Sequence, residues 1–185
     1  MQNIFSSPRN SRMEIGEVYF WTATIHQWKK LLKPDAYKEL LTASFNYLHQ
    51  KNLIKIYSFV FMPNHIHLIW ELLSKNGKEL PNASFLKFTA HEIKNDLENN
   101  HQKVLEQFYV NEKDRSYRIW QRDPMAVQLL SRPMLEQKLD YIHTNPLQPH
   151  WNLAKCPEEY YYSSASFYLN GNSKFPFLSH YLDRF

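Results

Sequence analysis

Apolar and polar positions alternate with two different periods along this chain, and the changes of period mark out its elements. Residues 17–25, Glu-Val-Tyr-Phe-Trp-Thr-Ala-Thr-Ile, are β-branched and aromatic, with Thr22 and Thr24 on one face and Trp21, Ala23 and Ile25 on the other. That pattern predicts a half-buried strand. Pro34 then stands where a helix begins, and Tyr37, Leu40, Leu41, Ser44, Phe45 and Leu48 recur at helical spacing until polar Gln50, Lys51 and Asn52 end the run. Two apolar extended stretches follow, 54–62 and 65–73, with Pro63-Asn64 as the tight turn of a hairpin. Residues 74–82 read as a polar loop carrying Gly77 and Pro81. A second helix is expected over about 84–99, with Leu86, Ala90, Ile93 and Leu97 as its apolar stripe and Lys87, His91 and Lys94 on a solvated face.

Residues 100–114 carry no clear period, although Val104, Leu105 and Phe108 can extend the helix or pack locally. Arg122-Asp123-Pro124 reads as a turn between short extended pieces at 117–121 and 125–130. Pro133 opens a third helix whose buried stripe is Leu135, Leu139 and Ile142. With about 100° per residue, Tyr141 falls on the flank of that helix beside Lys138 and Asn145, and His143 falls on the opposite flank. Pro146 ends or bends the helix. A C-terminal helix is expected near 163–169, over a packed Tyr160-Tyr161-Tyr162 cluster.

Within the hairpin, His65 and His67 alternate with Ile66 and Leu68, so both imidazoles leave one face of the strand. Their α-carbons are then roughly 6.5–7 Å apart, close enough to converge on one metal ion. A half-exposed sheet face with no ligand role also accommodates such a pair. The distinguishing feature is that an apolar strand spends two same-face positions on histidine, where β-branched or aromatic residues pack better.

Composition narrows the classes. A length of 185 residues suits one ordinary domain, expected over 17–185 behind a polar arm at 1–16. A single cysteine excludes an internal disulfide and fits a reducing compartment. No stretch is long enough for a signal-peptide core or a membrane span, so a cytoplasmic protein with no membrane partner is expected. A net charge of +4, a pI near 9.0 and an aromatic content of 16% suit a polyanion whose bases can be stacked. Only three glycines occur, which excludes glycine-rich nucleotide-phosphate loops.

Taken together, Met-Pro-Asn-His-Ile-His-Leu-Ile-Trp at 62–70 and Tyr-Ile-His-Thr-Asn-Pro at 141–146 resemble the IS200-like single-tyrosine transposases, in particular their REP-associated branch. The resemblance runs from Tyr19 to the Tyr-Tyr-Ser-Ser-Ala of 161–165. It implies an α+β fold, a small antiparallel sheet with helices packed on it, of the ferredoxin-like, RRM-like type. It implies a metal-dependent nuclease and strand transferase acting on single-stranded or hairpin DNA. His65, His67 and Asn145 then hold a divalent ion, Mg²⁺ or Mn²⁺, and Tyr141 is the nucleophile that forms a 5′-phosphotyrosine. The acting species is either a monomer or a homodimer. Two departures concern local DNA contacts: Leu147-Gln148-Pro149-His150-Trp151 replaces the usual continuation after Asn145-Pro146, and Tyr162 stands where tryptophan is frequent. A module that binds single strands without turnover is the competing expectation. Under it Tyr141 is a packing phenol and Asn145 a helix C-cap.

Overall fold

The computed structural model describes residues 12–113, 115–171 and 174–185. Strand β1 (Val18–Thr24) leads through a tight turn into helix α1 (Asp35–Gln50), followed by the hairpin β2 (Ile54–Phe61) and β3 (His65–Leu72). Helix α2 (Pro81–Asn100) continues into a short α3 (Gln102–Leu105) and the pair β4 (Tyr109–Glu112) and β5 (Arg115–Tyr117). Strand β6 (Met125–Gln128), helix α4 (Arg132–Thr144) and helix α5 (Ala165–Asn170) complete the chain.

The main sheet has the order β2-β3-β1-β6, antiparallel throughout, the arrangement of a βαββαβ ferredoxin-like unit whose fourth strand is β6. Because β1 and β3 are central, each of their side chains must be covered on one face or the other. On one face Trp21, Phe59, Phe61, Leu68 and Trp70 meet Leu41 and Phe45 of α1 and Phe85, Ile93 and Leu97 of α2. On the other, Val18, Phe20, Val60 and Ile69 meet Leu135, Leu139 and Ile142 of α4. A β-bulge between Ile56 and Ser58 turns both Tyr57 and Ser58 toward α4.

Most expected elements are in place, and three details differ. Helix α2 starts at Pro81 rather than about Ser84, since proline at the first helical position needs no N–H partner. Its buried row is Phe85, Thr89, Ile93 and Leu97, with Leu86 and Ala90 only partly covered. Thr89 is tolerated there because its hydroxyl bonds Phe85 O at 2.8 Å and accepts the Trp120 indole N–H at 3.0 Å. The extended pieces flanking Arg122-Asp123-Pro124 go to different partners: β6 pairs with β1, and Trp120 bridges to Ile25. Of the expected arm, residues 1–11 lie outside the described residues. Met13 is buried, and Gly16 N donates to Leu72 O at 2.8 Å. No helix among the described residues is long and apolar enough to cross a membrane.

Candidate functional site

Cross-strand register fixes the centre of the site. Antiparallel pairing sets Thr22 opposite His67 and Thr24 opposite His65, all on the α4 face. Thr22 Oγ1 lies 2.7 Å from His67 Nδ1. His65 Nδ1 lies 2.7 Å from Asn64 Oδ1, and the same amide donates through Nδ2 to Trp28 O at 3.0 Å. That second bond fixes which way the amide points, so His65 must donate from Nδ1 and keep its lone pair on Nε2. Thr22 Oγ1 can accept from His67 Nδ1, and with the proton there Nε2 of that ring also presents a lone pair. Such outer hydrogen bonds orient histidines that ligate metals.

Burial keeps these rings neutral. His65 is brought down to about 4 by loss of hydration, with nearby His150 adding to the effect and the Asn145 amide opposing it. His67 is held well below its ordinary value, again by burial first, then by the charge His65 would carry if protonated and by that of Lys138.

Asn145 follows the last residue of α4, where a tight turn over Asn145–Leu147 begins. Its backbone N–H bonds Ile142 O, so the cap is made by the main chain and the side chain is not spent on it. Asn145 Oδ1 is buried and, although near enough to His65 to favour its protonated form, makes no hydrogen bond of good geometry in the protein; His67 Nε2 is likewise unpaired. An unpaired buried polar atom costs roughly 1–3 kcal/mol. Together with His65 Nε2, these two atoms beside one cleft form a donor set that fits a divalent cation: two imidazole nitrogens and one amide oxygen. Among the described residues no group of three or more His, Cys, Asp or Glu side chains could hold a metal, and the third donor here is an asparagine.

Tyr141 projects from the flank of α4 and is half exposed. Its ring meets His67 edge-on at 5.2 Å and Phe20 at 5.9 Å. Lys138, one turn earlier, places its ammonium 4.9 Å from the Phe20 ring and 5.8 Å from that of Tyr141. The four residues singled out in the sequence therefore share one locality. Thr22, Trp28, His65, His67, Tyr141 and Asn145 all line a cleft of about 490 Å³. A second cleft of about 510 Å³ shares Thr22, Trp28, His67 and Tyr141 and extends past Lys138 to Arg122. The more apolar groove between α1 and α2, lined by Leu40, Tyr47, Phe85 and Phe88, offers no histidine or carboxylate.

The rival tyrosines are occupied elsewhere. Tyr160 donates to Phe61 O and Tyr162 to Glu39, each at 2.7 Å, and Tyr161 packs on Tyr162 and Phe175. His143 is buried, 2.9 Å from Ser164 Oγ, and ties α4 to the segment crossing β2.

Asn64 and Trp28 complete the site without a signal of their own in the sequence. Asn64 reads as a turn residue, and its second task depends on the loop after β1. In that loop Gln27 and Trp28 adopt φ of 55° and 58°, a left-handed conformation usually left to glycine or asparagine. Each such residue costs on the order of 1–3 kcal/mol. Ile25 N→Asn64 O and Leu32 N→Pro63 O, both 2.8 Å, pin the loop to the hairpin turn.

The same architecture occurs in a solved structure of a REP-associated tyrosine transposase bound to a REP hairpin. The similarity covers 86% of this chain and 82% of that one, with a TM-score of 0.59 and 18% sequence identity. The two chains share a fold. No family model matches this sequence, and no curated protein matches it.

Proposed function

We propose that this protein is a DNA-cleaving and strand-transferring enzyme of the single-tyrosine transposase type, acting in the cytoplasm on single-stranded DNA folded into a hairpin. The observation that carries the reading is the meeting of Tyr141 with His67, Asn145 and His65 at one cleft. The hairpin substrate is carried over from the transposase of like fold.

Phosphodiester cleavage needs a positioned nucleophile and relief of charge on the non-bridging oxygens. His65, His67 and Asn145 would hold a divalent cation, Mg²⁺ or Mn²⁺, which when bound supplies Lewis-acid polarisation of the scissile phosphate. Three neutral ligands leave the ion's charge undiminished, which carboxylates would not. Tyr141 is half exposed on α4, so its hydroxyl can meet a strand arriving from solvent. In water only on the order of 0.1% of a tyrosine is phenolate at neutral pH, so the Tyr141 proton has to be drawn off as attack begins. The bond formed joins Tyr141 Oη to phosphorus, and the bond broken frees a 3′ hydroxyl. A second 3′ hydroxyl can reverse the exchange on another strand with no nucleotide cofactor.

The test is incubation with hairpin oligonucleotides and Mg²⁺ or Mn²⁺, followed by denaturing electrophoresis. A protein–DNA band that survives denaturation and disappears in Tyr141→Phe is expected, with hairpin binding retained. Binding with no such band in the wild type identifies the competing reading, a module without turnover.

A further inference from the structure

Of the five tryptophans only Trp28 is exposed, at 61% of its surface. It is one of four residues common to both clefts, and so stands where they meet. Its ring lies 6.1 Å from that of His65, which Trp151 approaches from 6.0 Å. The turn that presents it is held in the left-handed region at two successive non-glycine residues. The amide of Asn64 then joins the Trp28 carbonyl to His65 Nδ1, so the indole and a proposed ligand are tied through one side chain. An exposed apolar ring on a strained, pinned turn beside a reactive centre is poorly explained by packing, because nothing among the described residues covers it.

We propose that Trp28 is the stacking platform for an unpaired nucleobase adjacent to the phosphate that is attacked. The strand then runs from the cleft of Lys138 and Arg122 into that of Gln148 and His150, with its phosphate at the histidines between. The proposal rests on the DNA reading above and names what that site grips. An indole face is sequence-tolerant, since every base offers a π-surface, and it selects single strands because bases inside a duplex are already stacked.

Fluorescence-anisotropy titrations with EDTA present test it, using labelled oligothymidylate and an all-abasic strand of the same length. Wild type, Trp28→Ala and Trp28→Phe are compared. Trp28→Ala should weaken oligothymidylate binding by about 5- to 150-fold and leave abasic binding unchanged, while Trp28→Phe keeps most of the affinity. Equal losses on both strands, no loss on either, or a phenylalanine variant as weak as alanine would overturn the platform and leave the DNA reading standing. If the wild type bound neither strand, the platform would fall, and the hairpin assay above would decide the DNA reading separately.

Discussion

The two faces of the sheet are built from alternate residues of the same strands, yet they solve opposite problems. On the α1/α2 face, Trp21 and Trp70 of β1 and β3 pack at 4.9 Å, and Phe45 stacks on Phe85 at 4.2 Å. Its unpaired buried atoms along β1 and β3 are the indole N–H groups of these two tryptophans. On the α4 face, one residue along, the strands present Thr22, His65 and His67, and the unpaired atoms are a ring nitrogen and an amide oxygen. Apolar area removed from water stabilises the first face at about 25 cal/mol per Å². The second face gives up part of that stabilisation and holds lone pairs toward a cleft. Period-two alternation allows the division, because a strand can differ completely between its faces without changing its backbone.

This contrast can be broken from either side. The largest expected effect belongs to Tyr141→Phe, which under the proposed function removes the covalent adduct altogether. It should leave thermal stability within the range of surface substitutions, because phenylalanine keeps the ring contacts with Phe20 and His67. Phe45→Ala should do the reverse. It should lower unfolding free energy by about 3–5 kcal/mol, read from denaturant titration, while adduct formation per folded molecule is unchanged.

Acidification sharpens the comparison further. His65 and His143 are both lowered to about 4 by burial, whereas the unfolded chain takes up their protons near 6.5. Their neutral burial is therefore fully tolerated above 6.5 and becomes destabilising as pH falls toward 4, by up to about 3 kcal/mol per histidine. Denaturant midpoints measured in EDTA across that window should fall with pH, and His143→Gln should flatten the slope. A smaller effect is expected of Thr22→Val, which removes the partner of His67 Nδ1 and should weaken divalent-metal binding about 10- to 100-fold, with a stability loss of about 1–3 kcal/mol from the buried ring nitrogen left unpaired.

How far the sequence reveals this division depends on distance along the chain. His65, His67 and the alternation around them are legible because a strand's period is local. Tyr141 and Asn145 share a flank because a helix's period is local too. The partnership of Thr22 with His67 needs the β1–β3 register, set by packing of residues 45 positions apart. Thr89 in the buried row of α2 is intelligible only once Trp120 donates to it. The bulge at Tyr57 and the left-handed Gln27-Trp28 turn break local rules: the first seats Tyr57 in the packing under α4, and the second presents Trp28 at the clefts.

The central claim is that the unpaired atoms of His67 and Asn145, with His65, form a seat for one divalent ion. Calorimetric titration of Mn²⁺ into the purified protein tests it without DNA or activity. The expected result is one ion per chain, with binding lost in His67→Ala and weakened in Asn145→Ala while both variants remain folded. Folded variants that bind Mn²⁺ as the wild type does would contradict it.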